Sequence, residues 1–381
     1  MKTSTRRQFL RQSSRAATGL LLTPALLACG ATGSGSASSP DPAPAAPPPA
    51  PGRKIGVALL GLGGYANGQI APALQLTEHC ELRGLITGSP DKLPDWQKKW
   101  NVSAANSYTY DRMPELADND DIDVVYVITP TATHKDFVLR AAAAGKHVWC
   151  EKPMAMTPGD CQEMIDACAA AGVQLAIGYR MQHEPNTIAF NQLTADLAYG
   201  RPQSARSDAG YGGSGPARDY WRGQRDMGGG ALYDMGVYTT NGLRNALHAE
   251  PEAVVRATQQ RMSGPNGVDL TTEYTLRFPG GLLAEGRTSV VTDYNLLRID
   301  ATDGWYELQP MQPYQGVRGE TSDGTELGPP VPNQQSIQMD NDALAILNGT
   351  EPVAPGVEGK RDIRVIRAII EAAESGREVA I

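Results

Sequence analysis

Short apolar runs alternate with helix-like segments through the first half of the chain. The composition of a buried strand is found at residues 55–60, 81–86, 123–128, 146–150 and 173–177. Helical patterns lie between some of them, at residues 67–75, 135–144 and 160–171. Strands that alternate with helices predict a parallel, doubly wound sheet. We therefore expect a Rossmann domain over residues 53–178.

Beyond Gly178 the pattern changes. A helix is predicted near residues 186–197, a glycine-rich loop follows, and several strand candidates lie within residues 253–308. Consecutive strands predict an open, mostly antiparallel sheet. An amphipathic helix over residues 359–375 should pack back on the body of the protein. The predicted fold class is α/β: the Rossmann domain is followed by an α+β domain over residues 179–381, which serves the substrate and oligomerisation.

Length and charge limit the function classes. A chain of 381 residues, 41% hydrophobic and 20% charged, has room for two globular domains. Its net charge of −8 argues against a nucleic-acid partner, because phosphate binding needs a basic face. An open sheet of the predicted size would expose apolar surface, which predicts a homodimer or homotetramer.

The N-terminus has the features of an export signal over residues 1–29. Basic residues precede a mostly apolar stretch, residues 16–28, that is short for a membrane span. Residues 4–10 resemble the twin-arginine signal of folded bacterial exports, which predicts a periplasmic or other extracytoplasmic location. Residues 26–29 resemble a lipobox that would lipidate Cys29, and an ordinary signal end stays open as the alternative. Residues 30–52, rich in Gly, Ser, Ala and Pro, predict a linker or arm.

The remaining cysteines are Cys80, Cys150, Cys161 and Cys168. They form no C-x-x-C pair and have no clustered histidines, so the sequence indicates neither a disulfide scaffold nor a metal site. We expect buried, reduced thiols.

A glycine turn follows the first predicted strand directly. It consists of Gly61, Leu62, Gly63, Gly64, Tyr65 and Ala66. A turn of this kind between a strand and a helix lets backbone N–H groups approach a pyrophosphate, so it predicts a dinucleotide site. The alternative is an ordinary tight turn.

The end of the second strand bears on which nicotinamide cofactor binds. NAD sites usually carry an acidic residue there, but this chain has Thr87, followed by Gly88, Ser89 and Lys92. Hydroxyl groups and a lysine suit a 2′-phosphate, and no carboxylate at the strand end would repel it. NADP is therefore favoured over NAD, with a solvated turn as the alternative.

Lys152 lies directly after a predicted parallel strand, within Glu151-Lys152-Pro153. Ligands of doubly wound sheets bind at the carboxyl ends of the strands, so Lys152 should face the cofactor cleft. An ammonium group there can donate to a sugar hydroxyl and polarise a carbonyl. The alternative is a solvated surface lysine.

Asp234 and Tyr238 follow the glycines at 228–230 and are predicted to share one face of a helix, four residues apart. A tyrosine hydroxyl can carry a proton to or from an alcohol oxygen, while a cofactor supplies the hydride chemistry. The alternative is an ordinary first turn of a helix.

These segments, together with residues 129–134 and 178–180, resemble the Gfo/Idh/MocA oxidoreductase family in order and spacing, over about residues 53–381. The chain is most similar to the periplasmic glucose-fructose oxidoreductases. The resemblance implies that Lys152 and Asp234 orient a sugar hydroxyl and that Tyr238 is the acid/base. It further implies that the cofactor cleft is lined by Pro130, His134, Glu151, Arg180, Trp221 and Arg222. Residues 181–185 match no family role and are expected to reshape the sugar pocket.

The favoured hypothesis is an exported, NADP-dependent oxidoreductase that oxidises an aldose at C1 and returns the hydride to a second sugar. Outside the cytoplasm there is no ready NADP pool, so a self-contained cycle explains repeated turnover. Two alternatives stay open. One is glycoside hydrolysis through transient oxidation at C3, and the other is a non-catalytic, sugar-binding surface lipoprotein.

Overall fold

The computed structural model describes residues 52–264 and 266–381. The predicted export signal, Cys29 and the predicted arm up to residue 51 lie outside these residues. The strands are β1 (Ile55–Leu60), β2 (Cys80–Thr87), β3 (Ser107–Thr109), β4 (Val124–Val127), β5 (His147–Cys150), β6 (Leu175–Ile177), β7 (Pro202–Gly210), β8 (Ala253–Arg261), β9 (Asp269–Arg277), β10 (Leu283–Ser289), β11 (Tyr294–Ala301), β12 (Gly304–Leu308), β13 (Gly319–Thr321) and β14 (Val379–Ala380). The α-helices are α1 (Ala71–Ala73), α2 (Leu93–Trp100), α3 (His134–Ala143), α4 (Pro158–Ala170), α5 (Pro185–Ala195), α6 (Ala231–Asp234), α7 (Gly236–Leu247), α8 (Gln334–Asn348) and α9 (Gly356–Ser375).

Six parallel strands form the first sheet, in the order β3-β2-β1-β4-β5-β6. The strand order reverses between β1 and β4, so the loops after these two strands diverge and leave a crevice at their carboxyl ends. Every residue of β1 and β4 is buried, as expected for strands covered on both faces. The predicted doubly wound domain is confirmed.

The segment after the glycine turn is less regular than the predicted helix over residues 67–75. It has π-helical hydrogen bonding over Ala66–Ile70 and continues as the short α1. The α-helix that packs beside the first sheet over Leu93–Trp100 was not predicted, because its two buried-type tryptophans are surrounded by charged residues.

Helix α8, from the C-terminal part of the chain, returns to the first domain. Met339, Ala343 and Ile346 pack into the same apolar cluster as Val57 of β1. The Asp340 carboxylate accepts hydrogen bonds from the backbone N–H groups of Glu78 and His79, at 2.8 to 3.0 Å. The first domain therefore contains a helix that lies far outside the predicted range of residues 53–178.

Eight strands form the second sheet, in the order β13-β12-β11-β7-β10-β9-β8-β14. All pairs are antiparallel except β7 with β10, which confirms the predicted mostly antiparallel sheet. The sequence predicted no strand at β7, although it lies near the middle of the sheet. Its residues are small and polar, with Ala205, Ser207 and Ala209 buried, so it lacks the branched apolar residues that mark a strand.

A buried ionic network fixes α7 against α9 on the inner face of this sheet. The Arg244 guanidinium, 3% exposed, donates to Asp362 at 2.5 Å and to Glu358 at 3.1 Å. Asn241 donates to the same two carboxylates at 2.8 and 3.1 Å. Removing one partner of such a network would leave a buried charge without compensation. The network therefore anchors α7, the helix that carries Tyr238, to α9. None of the helices that the structure describes is long and apolar enough to cross a membrane.

The outer face of the second sheet is largely polar. Arg287 donates to Asp208 at 3.0 Å and stacks on Tyr294, and Arg298 stacks on Trp305 and bonds to Glu307 at 2.8 Å. The sequence argument for assembly assumed an apolar face, whereas this face carries cross-strand ion pairs as well as the aromatic rings of Tyr294 and Trp305. The oligomer itself stays a prediction.

Candidate active site

A cleft of about 990 Å³ opens where the first sheet meets the loops of the second domain. Its floor is formed by residues that follow β1, β4 and β5. Every predicted site residue except His134 lines it: Gly61, Leu62, Gly63, Gly64, Tyr65, Ala66, Thr87, Gly88, Ser89, Lys92, Pro130, Glu151, Lys152, Arg180, Trp221, Arg222, Asp234 and Tyr238.

The glycines of the turn after β1 differ in what surrounds them. Gly61 has φ +101°, and a Cβ there would lie 2.6 Å from the Ile128 carbonyl oxygen. A Cβ at Gly63 or Gly64 would meet no atom of the described residues within 4 Å, so these two border the open cleft. Gly61 is therefore needed for the turn, whereas Gly63 and Gly64 leave room for a ligand to approach the backbone.

The end of β2 forms one end of the cleft. The Thr87 hydroxyl accepts a hydrogen bond from the Ser89 N–H at 3.0 Å, and the Lys92 ammonium donates to the Leu62 carbonyl at 3.3 Å. Within the described parts of the chain, the acidic side chains that line the cleft are Glu151 and Asp234, neither of which belongs to this loop. The loop thus offers donors and one positive charge to the cleft, while its own carboxylate, on Asp91, is exposed and does not line the cleft.

Lys152 joins the two domains at the cleft. Its ammonium donates to the Asp234 backbone carbonyl at 2.9 Å and lies 3.9 Å from Asp234 Oδ1 and 4.5 Å from the centre of the Tyr238 ring. Burial on its own would lower the pKa of Lys152, but Tyr238, Asp234 and Glu151 outweigh it and the pKa is raised. Lys152 is therefore a protonated donor at neutral pH.

Asp234 and Tyr238 lie on two helices, not on one as predicted. Asp234 is the last residue of α6, and Met235 (φ −111°, ψ −28°) interrupts the helix before α7 begins at Gly236. A Cβ on Gly236 would lie 2.7 Å from Leu232 Cδ1, so glycine permits the tight break. Because α6 ends there, the Asp234 carbonyl is free to accept from Lys152, and both side chains still line the cleft.

Two donors hold the Asp234 carboxylate. Arg222 Nε donates to Oδ2 at 2.9 Å, and the Tyr211 hydroxyl donates to the same oxygen at 3.1 Å. The Arg222 guanidinium stacks on Trp221, 4.3 Å from the ring centre, and donates to the Tyr220 hydroxyl at 2.9 Å. The motif predicted that Arg222 lines the cofactor cleft, and its observed contact is with the predicted catalytic carboxylate.

Arg180 lies beside the Tyr238 ring, with its guanidinium carbon 5.2 Å from the ring centre. It is 2% exposed, and it donates to the carbonyls of Gln312 and Pro313 at 2.6 and 3.0 Å and to the Gln334 side chain. Tyr238 thus has the cations of both Lys152 and Arg180 next to its ring.

Glu151 is buried at the floor of the cleft. The Tyr126 hydroxyl donates to Oε1 at 2.8 Å, and Gln338 of α8 donates to that hydroxyl at 3.3 Å. Burial raises the pKa of Glu151, although Lys152 and the hydrogen bond from Tyr126 oppose this effect. A Cβ on Gly178 would lie 2.9 Å from Oε1, so the glycine after β6 makes space for the carboxylate.

His134 lies behind the cleft, contrary to its predicted place along it. Its ring nitrogens are 2.8 Å from the Thr129 carbonyl oxygen and 3.0 Å from that of Pro153, and the side chain is 1% exposed. Since these carbonyls belong to the loops after β4 and β5, His134 braces the two loops against each other.

The sequence predicts that residues 181–185 reshape the sugar pocket, but none of them lines the cleft. Met181, His183 and Glu184 are buried behind it. Glu184 accepts from the Thr187 N–H at 2.7 Å and caps α5.

Several tyrosines of the cleft were missed by the sequence reasoning. Tyr211, Tyr220 and Tyr314 line the cleft from loops of the second domain, and each remains more than a third exposed. Tyr110, between β3 and β4, lines it beside Gly88. None of the four belongs to a spaced motif, although Tyr211 directly precedes a pair of glycines that could have marked a loop near a ligand.

Family comparisons agree with this geometry. The family model described as "Oxidoreductase family, NAD-binding Rossmann fold" matches residues 55–179, and "GFO/IDH/MocA C-terminal domain" matches residues 188–307. The chain belongs to the GFO/IDH/MocA oxidoreductase family. Residues 180–187, shortly after β6, separate the two matches, and residues of both matched parts line the cleft.

Three relatives are similar to this chain over most of its length. Aldose-aldose oxidoreductase from Caulobacter crescentus, whose crystal structure is complexed with glycerol, is 38% identical, with a TM-score of 0.82 over 86% of this chain and 100% of that one. D-xylose 1-dehydrogenase [NADP(+)] from Haloarcula marismortui is 28% identical over 85% of this chain and 92% of that protein. 1,5-Anhydro-D-fructose reductase from Ensifer adhaerens is 30% identical over 70% of this chain and 82% of that protein.

The two kinds of glycine make a paired prediction. Gly61→Ala should lower the free energy of unfolding by about 1–3 kcal/mol, because alanine is strained at a positive φ and its Cβ meets the Ile128 carbonyl. Gly63→Ala should change it by less than about 0.5 kcal/mol, since no atom of the described residues is near, but should weaken nicotinamide-dinucleotide binding by about 10-fold or more. Urea unfolding and cofactor titration measure the two effects. Equal stability losses in both variants would contradict the assignment of the turn.

Proposed function

We propose that the protein is an NADP-dependent sugar oxidoreductase that oxidises an aldose at C1. The observation that carries the proposal is the convergence of Lys152, Asp234 and Tyr238 in the cleft next to the glycine turn. The similarity to an aldose-aldose oxidoreductase and to an NADP-dependent xylose dehydrogenase supports sugars as the substrate class.

The residues of the cleft fit a dinucleotide. Gly63 and Gly64 leave open space at the turn after β1, and the Thr87 to Lys92 loop offers hydroxyls and an ammonium for a 2′-phosphate. When bound, NADP supplies the hydride acceptor of the reaction. Glu151, with its raised pKa, lies on the floor of the same cleft.

Tyr238 is the group that exchanges a proton with the substrate. Its phenolic oxygen accepts the proton of the sugar hydroxyl, and Lys152 and Arg180 stabilise the negative charge that this exchange requires on the tyrosine. Lys152 also donates to the sugar oxygen, because its raised pKa keeps it protonated. Asp234 orients the sugar hydroxyl through Oδ1, the carboxylate oxygen that Arg222 and Tyr211 do not contact.

The proposed cycle uses two sugars. One aldose loses two hydrogens, one from C1 and one from O1, and becomes a lactone. A second sugar gains two hydrogens at its carbonyl carbon and oxygen and becomes an alditol. We propose that the protein works outside the cytoplasm, delivered by its N-terminal signal, where such a cycle needs no external cofactor pool.

Lys92→Ala tests the choice of cofactor. It should weaken NADP binding by about 1.5–3 kcal/mol and leave NAD binding almost unchanged, because the 2′-phosphate alone loses a charge-assisted hydrogen bond. Titration of both cofactors into the apoprotein measures this. Lys98→Ala, an exposed lysine of α2 that does not line the cleft, is the matched control. Equal losses of binding free energy for NADP and NAD would show that the loop does not bind the 2′-phosphate.

Tyr238→Phe tests the proton transfer. The variant should fold and bind NADP normally but oxidise the aldose roughly 10² to 10⁴ times more slowly, because it lacks the hydroxyl that exchanges the proton. Single-turnover reduction of bound cofactor by an aldose, followed at the nicotinamide absorbance, gives the rate, and a second sugar then tests re-oxidation. Tyr199→Phe, which removes a hydroxyl that donates to Asp323, is the control, because neither residue lines the cleft. Wild-type turnover in Tyr238→Phe would show that another group exchanges the proton, whereas no aldose oxidation by the wild-type protein would favour the hydrolase or the non-catalytic alternative.

Native mass spectrometry of the exported protein tests assembly and processing together. We expect a dimer or tetramer that retains NADP and lacks the N-terminal signal. A lipid on Cys29 would add its own mass to each chain. A cofactor-free monomer would argue against both the oligomer and the self-contained cycle.

A further inference from the structure

The two oxygens of the Asp234 carboxylate have different surroundings. Oδ2 accepts from Arg222 Nε at 2.9 Å and from the Tyr211 hydroxyl at 3.1 Å. Oδ1 lies 3.9 Å from the Lys152 ammonium and accepts no hydrogen bond from the residues that the structure describes. Oδ1 is therefore the oxygen available to a substrate hydroxyl, and its direction is set by the bonds to Oδ2.

Arg222 is itself held in place. Its guanidinium lies over the Trp221 ring at 4.3 Å and donates to the Tyr220 hydroxyl at 2.9 Å. Its backbone carbonyl accepts from the Gly230 N–H at 3.1 Å, which ties the loop to the start of α6. Because α6 runs from Ala231 to Asp234, this hydrogen bond links the loop that carries Arg222 to the helix that carries the carboxylate.

We propose that Arg222, assisted by Tyr211, is a positioning residue that acts through Asp234 and keeps this carboxylate apart from Lys152. The Lys152 ammonium and the Asp234 carboxylate already form a long ion pair at 3.9 Å, and with side chains only 13% and 11% exposed they attract each other strongly. Without Arg222 the carboxylate turns toward Lys152 and shortens this pair to a direct hydrogen bond. That pair takes Oδ1 away from the substrate and occupies the ammonium that the sugar oxygen needs.

This inference rests on the proposed sugar oxidation, and it predicts which kinetic parameter changes. Arg222→Ala should lower kcat for the aldose roughly 10- to 100-fold, because the reacting groups lose their alignment. NADP affinity should stay within about 2-fold of wild type, since the contact of Arg222 is with Asp234. Tyr211→Phe should lower kcat roughly 2- to 10-fold, the effect of one hydrogen bond to a charged group.

Two further variants separate positioning from a merely structural role. Arg222→Lys keeps the charge but loses the planar Nε donor and the stacking on Trp221, so it should recover part of the lost kcat. Arg277→Ala, which removes a two-point arginine–glutamate pair with Glu378 outside the cleft, should leave kcat unchanged.

The deciding experiment is a double-mutant cycle with Asp234→Asn in the NADP-loaded enzyme. If Arg222 acts through the carboxylate, adding Arg222→Ala to Asp234→Asn should change the single-turnover rate by less than about 2-fold. Where the chemical step is too slow to follow, the dissociation constant of the aldose is measured by calorimetry for the same four proteins, which gives a second double-mutant cycle. Losses that multiply would overturn the proposal and place Arg222 on the substrate directly. A wild-type enzyme that oxidises no aldose would instead refute the proposed function.

Discussion

One hydrogen bond, from the Lys152 ammonium to the Asp234 carbonyl at 2.9 Å, joins the two domains at the chemical centre of the cleft. It requires a parallel strand that delivers Lys152 to the sheet edge and a helix that ends at Asp234, so that the carbonyl has no intrahelical partner. The break before α7 also lets the Asp234 carboxylate and Tyr238 approach the same ammonium from separate helices. The irregular backbone at Met235 is thus part of the site.

The two arginines of the cleft have different partners. Arg222 faces Asp234, and the buried Arg180 is fixed by the carbonyls of Gln312 and Pro313. Because neutral carbonyls rather than a carboxylate hold Arg180, its charge remains available to the neighbouring Tyr238 ring. The raised pKa of Lys152 follows from the same arrangement, since the negative groups around it outweigh the cost of burial.

Local features of the site could be predicted from the sequence. The glycine turn and the position of Lys152 follow from short patterns in a doubly wound sheet, where a strand end determines the place of the next residue. Contacts between distant residues could not be predicted. The pairing of Tyr211 with Asp234 and the return of α8 to the first sheet depend on how the chain packs. Strand β7 was missed because pairing on both edges compensates for its weak strand propensity.

The two domains contribute different kinds of chemical groups to the cleft. The first domain contributes backbone at the glycine turn and the two charged residues after β5, which are constrained by the sheet. The second domain contributes aromatic side chains from loops, including Tyr211, Tyr220 and Tyr314. Loops tolerate substitution better than buried strands do, and aromatic rings provide apolar faces with polar edges that suit sugar rings. Under the proposed function, changes in the loops would therefore alter the preferred sugar while Lys152 and Tyr238 keep their geometry.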